Sequence, residues 1–171
     1  VVETGVKLEN QIEPMPFGKS NTALIMTTKF PLLSADGRIL GLAGIARNLL
    51  ETSVQSSEMN EFAKTIDHIE LFCRERFDLP ALAARQGMSP SKFERKFKKL
   101  FRMTPSAFHL QVRLRQARKD LLATTKSIGE IALEYGFYDQ SHFTKSFIAV
   151  YGIPPLRFRK ITEDSSHSMK L

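Results

Sequence analysis

The chain has 171 residues, enough for one or two small domains, and 42% of them are hydrophobic, as in an ordinary globular protein. Its single cysteine excludes an internal disulfide and a cysteine-based zinc site. No apolar run is long enough to span a membrane, and we expect a cytoplasmic protein without a metal, a cofactor or a membrane partner.

The net charge of +7 is unevenly distributed along the chain. Residues 1–57 contain five basic and five acidic side chains, which sum to zero, so residues 58–171 carry the whole excess. A neutral N-terminal part and a basic C-terminal part indicate that only the C-terminal part faces a polyanion such as nucleic acid. A solvated basic surface is the alternative that charge alone leaves open.

The N-terminal part, residues 1–50, is predicted to form a small antiparallel β segment. Residues 21–33 and 38–47 have the composition of strands. The segment 34–37 between them ends in Asp-Gly, a pair that tolerates the positive φ angles of a hairpin turn. Because two or three strands bury little surface alone, this part requires further residues or a partner.

A polar connector, residues 51–60, precedes a helical pattern of apolar residues that starts near Met59. Serine, threonine and aspartate caps, proline at first-turn positions and glycine turns set the expected helix ends. The predicted helices cover residues 59–77, 79–85, 90–101, 105–123, 128–135, 140–151 and 156–160, followed by a flexible tail at 162–171.

The chain repeats itself at a spacing of 50 residues: Phe93 and Phe97 recur as Phe143 and Phe147. Such self-similarity indicates one supersecondary unit built twice. Each unit is predicted to be a helix, a glycine turn and a second, polar helix, which is the helix-turn-helix arrangement that enters a DNA groove. The expected fold class is α+β, mainly α, with the two units joined by a long helix.

The predicted helix 90–101 has an aromatic stripe on one side and, on the other, polar and basic side chains of the kinds that bind DNA. Six basic residues lie between Lys92 and Arg102, against one acidic residue, Glu94. Arg95 can donate two hydrogen bonds to guanine, and Glu94 can accept one from cytosine or orient the arginine; a Glu94–Lys98 pair is the alternative. The DNA-binding candidates here are Ser91, Lys92, Glu94, Arg95, Lys98 and Lys99.

The predicted helix 140–151 is built alike. Gln140 suits adenine, and Lys145 suits a guanine or a phosphate. Outside the two helices, Arg113 and Arg157 are candidates for phosphate contacts, with intramolecular pairing as the alternative. The DNA-binding candidates of this part are Gln140, Ser141, Lys145, Arg113 and Arg157.

Five segments carry a family resemblance: 82–89, 93–98, 128–137, 141–147 and 152–155. Through them the chain resembles the C-terminal DNA-binding domain of AraC/XylS-type bacterial transcription regulators over residues 61–161. The resemblance implies seven helices, two helix-turn-helix units bridged by a long helix, and recognition helices in successive major-groove segments. By position, it places base contacts on Ser91, Glu94, Arg95, Gln140, Ser141 and Lys145.

The front part is similar to the end of a PAS domain. Residues 28–33 and 36–47 resemble its last two strands, whereas 47–50, Arg-Asn-Leu-Leu, depart from its usual exit motif. The elements that would wall a ligand cavity are absent, and the first residue is Val1 rather than Met. We interpret the chain as a fragment, or as the product of an imperfect gene start.

These observations predict a sequence-specific transcription regulator that binds double-stranded DNA and has no enzymatic activity, since no catalytic set appears at a usable spacing. RNA polymerase and a second copy of the chain, paired through the N-terminal strands, are further candidate partners. The alternative is a PAS-like sensory or dimerisation module for which DNA is secondary. We expect the two recognition helices to lie about one DNA turn apart, roughly 34 Å.

Overall fold

The computed structural model describes residues 1–2, 5–17, 21–48 and 53–168. The N-terminal part is a three-stranded antiparallel sheet of β1 (Leu8–Phe17), β2 (Asn21–Leu33) and β3 (Ile39–Asn48), in the order β1-β2-β3. The predicted hairpin turn is confirmed: Gly37 has φ 82° and donates a backbone hydrogen bond to Ser34 at 2.9 Å. The Ser34 hydroxyl also bonds the Asp36 carboxylate and lowers its pKa.

The described part of the chain then contains seven helices. They are α1 (Ser53–Leu71), α2 (Leu79–Arg85), α3 (Pro90–Phe101), α4 (Pro105–Ala123), α5 (Ile128–Glu134), α6 (Gln140–Tyr151) and α7 (Pro155–Ser168). The α+β fold class, mainly helical, is therefore confirmed. The predicted bounds of α2, α3, α4 and α6 agree with the structure because proline and capping signals mark their first residues.

The predictions for the first and last helices were wrong in their extent. Helix α1 already begins at Ser53, inside the predicted connector, and ends at Leu71 rather than near residue 77. Helix α7 continues to Ser168, through most of the predicted flexible tail, whereas residues 169–171 lie outside the described part. Both extensions are polar, so they lack the apolar periodicity on which the prediction relied.

The chain divides into two compact units, each built from separate segments. The first, called the α3 unit, comprises Asn10–Thr27 and Ala46–Val112. The second, called the α6 unit, comprises Val1–Glu9, Thr28–Ile45 and Arg113–Leu171. The predicted domain limits, 1–50, 51–60, 61–161 and 162–171, stay a prediction.

An aromatic core fixes the position of α3 in its unit. The rings of Phe93 and Phe97 lie 5.3 and 5.8 Å from that of Phe62 on α1, and all three side chains are fully buried. Phe97 also lies 5.8 Å from Phe108 on α4. Each buried aromatic ring removes a large apolar area from water, so one side of α3 is committed to the interior.

The α6 unit repeats this construction. Phe143 and Phe147 are fully buried, with Phe143 at 5.0 Å from Phe137 and Phe147 at 5.6 Å from Phe158 on α7. The aromatic stripes are therefore core, as predicted. The predicted core position of Cys73, in the α3 unit, is also confirmed, since it is 5% exposed.

Candidate nucleic-acid interface

The first helix-turn-helix consists of α2, a glycine turn and α3. Asp78 caps α2 by accepting a 2.9 Å hydrogen bond from the N–H of Ala81. Gly87 turns the chain at φ 60°, and the next N–H, of Met88, donates to the carbonyl of Ala83 at 3.0 Å. The left-handed turn favours glycine because a Cβ would be strained there. The chain thus leaves α2 and enters α3 in a fixed direction.

Helix α1 holds this turn in place. The side-chain amide of Gln86 donates to the Thr65 hydroxyl at 2.6 Å and to the Glu61 carbonyl at 2.9 Å. The side-chain carboxylate of Glu61 also forms a 2.6 Å salt bridge with Lys96 of α3. Of the six basic residues in the α3 segment, Lys96 therefore has a structural role.

The second helix-turn-helix, α5 to α6, has the same geometry. Ser127 and Glu130 cap α5 reciprocally, and the Ser127 N–H, at 2.7 Å from the Glu130 carboxylate, lowers the pKa of that group. Gly136 has φ 68°, and the N–H of Phe137 donates to the Ala132 carbonyl at 2.9 Å. These residues match the first turn at a spacing of 49, so the repeat seen in the sequence is a repeat of backbone geometry.

Helix α3 begins after Ser89, whose hydroxyl accepts from the N–H of Lys92 at 3.4 Å. Opposite its buried phenylalanines it presents a basic surface. Glu94 is half-buried, and in the described part of the chain no salt bridge joins it to Lys98. The exposed candidates on this surface are Ser91, Lys92, Arg95, Lys98 and Lys99.

Helix α6 begins after Asp139, which accepts a 2.6 Å hydrogen bond from the N–H of His142. The His142 ring lies 5.4 Å from that of Phe137, so this histidine takes part in local packing. Gln140, Ser141 and Lys145 are all exposed. The structure therefore brings the three predicted residues of this helix to one accessible surface of the α6 unit.

The two arginine candidates outside the recognition helices differ. Arg113 is half-buried: its Nε donates to the Tyr135 carbonyl, and its guanidinium lies 4.0 Å from the centre of the Phe137 ring. This is the intramolecular alternative, and it braces the second turn. Arg157, by contrast, is exposed. Its neighbour Arg159 donates to the carbonyls of Leu121 and Lys126 at 2.9 and 2.8 Å.

One residue of this surface was not singled out from the sequence. Tyr138, in the second turn directly before the α6 cap, is 88% exposed. Its neighbour Phe137 is 3% exposed. The only sequence signal is that two aromatic residues follow the turn glycine, of which the first fills the core and leaves the second at the surface.

None of the helices in the described part of the chain has both the length and the hydropathy of a membrane-spanning segment.

Comparison with known proteins identifies the type of domain. A model of a helix-turn-helix domain matches residues 82–161. The HTH-type transcriptional regulator GbdR of Pseudomonas aeruginosa is 38% identical over 87 residues, which are 51% of this chain and 24% of GbdR. The regulator MtrA of Neisseria gonorrhoeae is 32% identical over 97 residues, 57% of this chain and 31% of MtrA. The chain thus spans about a quarter to a third of these curated relatives.

Solved structures agree with this result. An AraC-type transcriptional regulator from Chromobacterium violaceum is 28% identical, with a TM-score of 0.58, over 61% of this chain and 94% of that one. The DNA-binding domain of AdpA, solved with a target DNA, is also 28% identical, with a TM-score of 0.51, over 60% of this chain and 89% of that one. Residues 82–161 of this chain therefore form a helix-turn-helix domain of the AraC type.

Proposed function

We propose that the chain is a sequence-specific transcription regulator that binds duplex DNA through α3 and α6, each in a major-groove segment. The observation that carries this proposal is the repeated construction of the two units. In both, a capped helix buries an aromatic stripe and presents its other side, polar or basic, to solvent. A major-groove helix needs this combination of a rigid anchor and accessible hydrogen-bonding side chains.

On α3 we assign base contacts to Ser91, Glu94 and Arg95, and phosphate contacts to Lys92, Lys98 and Lys99. Glu94 is half-buried and makes no pair with Lys98 in the described structure. Its carboxylate is thus available to accept a hydrogen bond from cytosine or to orient Arg95.

On α6 we assign base contacts to Gln140 and Ser141, and a guanine or phosphate contact to Lys145. Arg157, which is exposed on α7, extends the phosphate contacts. Arg113 is left out of the proposed DNA contacts because its guanidinium is held by Tyr135 and Phe137. Its effect on DNA binding passes through the shape of the second turn.

The proposed mechanism is binding without catalysis in the cytoplasm. Basic side chains neutralise phosphates and release condensed counterions, which supplies affinity that falls as salt rises. Base-edge contacts then select the sequence. RNA polymerase is the partner through which a DNA-bound regulator would change transcription.

A second copy of the chain is also a proposed partner. Strand β3 lies at one edge of the described sheet, and it exposes Leu40 by 72% and Leu42 by 48%. Exposed strand edges with apolar side chains favour pairing between chains. We expect sedimentation to show a dimer that the double variant L40K/L42K converts to a monomer. A monomeric parent chain would contradict this partner and leave the DNA contacts as they are.

The function is tested by selecting bound duplexes from a random pool and footprinting the winning sequence at stated salt. We expect Arg95→Ala to weaken binding to the selected duplex by about 1–3 kcal/mol and to relax the choice at one base pair, with little change on random duplex. Arg76→Ala, an exposed arginine between α1 and α2, is the matched control and should change neither.

Equal losses of affinity on the selected and the random duplex would contradict the base-reading role of Arg95. Failure of the unaltered chain to enrich any sequence would contradict the function as a whole.

A further inference from the structure

Helix α3 ends at a residue whose backbone is left-handed although it is not glycine. Arg102 has φ 59° and ψ 15°, and its N–H donates to the Lys98 carbonyl at 2.9 Å. At the matching place after α6 stands Gly152, with φ 76° and the same bond to Ile148 at 2.7 Å. The left-handed region is unfavourable for side chains with a Cβ, and glycine is the usual residue there.

Only one other non-glycine residue in the described chain has a positive φ, and it is Asn10. Asparagine is one of the few residues that visit this region readily, whereas arginine is not. A residue held in an unfavourable conformation where glycine would fit points to a role for its side chain.

The side chain of Arg102 borders a cleft with uniform charge. Arg95, Lys98, Lys99 and Arg102 line an open cleft of about 360 Å³ at the C-terminal end of α3. In the part of the chain that the structure describes, none of these four side chains forms an ion pair. Cations gathered without a carboxylate repel one another, and an anion in the cleft would remove that cost.

We infer that Arg102, together with Lys98 and Lys99, binds a backbone phosphate of the DNA in this cleft, while Arg95 keeps its proposed base contact, and that Arg102 is the residue that makes the cleft a phosphate site. The inference deepens the proposed function and rests on it. The N-terminal residues of a recognition helix meet base edges, which leaves the C-terminal end of α3 to the sugar–phosphate backbone. The planar guanidinium of Arg102 matches a phosphate diester through two parallel N–H donors.

The structure makes two opposite predictions for Arg102→Gly. Glycine relieves the backbone, so the melting temperature stays the same or rises by up to about 4 °C, after allowance for the greater freedom of glycine in the unfolded chain. The same change removes one phosphate contact. The slope of log K against log salt therefore becomes less steep by about 0.9, which corresponds to roughly fivefold weaker binding at 0.15 M salt.

The binding experiment uses the whole chain and a random-sequence duplex of 30 base pairs, because a phosphate contact does not depend on sequence. Arg102→Gln should lose the same slope as Arg102→Gly, and Arg102→Lys should keep most of it. Lys64→Gln removes an exposed charge on α1 of the same unit, away from the cleft, and should leave the slope unchanged.

Two failures are distinguishable. If the unaltered chain binds duplex with a steep salt dependence and R102G and R102Q keep that slope, the inference about Arg102 is overturned and the proposed function stands. If the unaltered chain shows no salt-dependent binding to any duplex, the proposed function itself fails. A fall in the melting temperature of R102G would overturn the claim that arginine is unfavourable at this position.

Discussion

The two helix-turn-helix units share a scaffold and differ in surface charge. Both place a glycine with φ near 60–70° between their helices and bury phenylalanines four residues apart. The α3 segment, from Lys92 to Arg102, contains six basic residues, whereas α6 contains one, Lys145. The core and the turn are thus fixed by packing, and the surface is free to diverge. We expect α3 to supply most of the salt-sensitive affinity and α6 to contribute through neutral base readout.

The largest effect should come from breaking the shared scaffold. Phe97→Ala and Phe147→Ala each remove a fully buried ring, and each should lower the free energy of unfolding by about 3–5 kcal/mol. Chemical denaturation measures this cost. Ile148→Ala, on α6 but 38% exposed, is the control and should cost much less. Equal losses for Phe147 and Ile148 would mean that the aromatic stripe is not the anchor.

The next prediction concerns two left-handed glycines, Gly152 at the end of α6 and Gly87 in the turn before α3. A Cβ at Gly152 would adopt φ 76° and lie 2.3 Å from a methyl carbon of Val6. Gly152→Ala should therefore destabilise the fold by about 2 kcal/mol or more. Gly87→Ala has a similar φ of 60° with nothing within 4 Å, so it should show the backbone cost alone. Thermal unfolding of both variants measures the difference, and identical shifts would exclude the Val6 contact.

Removing lysine charges from each helix tests the difference between α3 and α6 directly. Lys98→Gln together with Lys99→Gln should make the salt slope of DNA binding less steep by about 1.8, and Lys145→Gln by about 0.9 if Lys145 meets a phosphate. A slope unchanged by K145Q, together with a loss of sequence preference, would assign Lys145 to a guanine instead. A larger change for K145Q than for the double variant would reverse the proposed division between α3 and α6.

The smallest effect is the pH dependence of the α5 cap. The N–H of Ser127 lowers the pKa of Glu130 below its ordinary value of 4.5. A lowered folded pKa gives stability that is present above 4.5 and is lost as the pH falls through the folded value. The stabilities of wild type and Glu130→Gln should therefore differ by a constant amount at pH 6–7, and this difference should shrink as the pH falls below 4.5. A difference that stays constant as the pH falls below 4.5 would contradict this.

The sequence predicted the helix-turn-helix units well because local chemistry determines them. Asp78, Ser89 and Asp139 each cap the helix that follows, and Gly87 and Gly136 each mark a turn. These signals act within a few residues, so they can be recognised in the sequence before the tertiary structure is known.

The features that the sequence did not predict depend on contacts between distant residues or lie in polar helices without an apolar pattern. Ser53 starts α1 without an apolar pattern, and the left-handed Arg102 gives no signal because glycine is the residue expected there. The partners of Arg113 lie 22 residues away at Tyr135 and beyond. An arginine in a basic chain therefore cannot be assigned to phosphate or to the protein's own carbonyls until the fold is known.

The contacts of α7 decide how far the chain can be shortened. Phe158 packs on Phe147 of α6, and Arg159 bonds carbonyls at the end of α4 and in the loop after it. A chain truncated after residue 160 keeps the contacts of Phe158 and Arg159. A chain truncated before Phe158 loses both and exposes the interior of the α6 unit to water. A fusion protein that joins this helix-turn-helix domain to another sensor domain should therefore retain the first turns of α7.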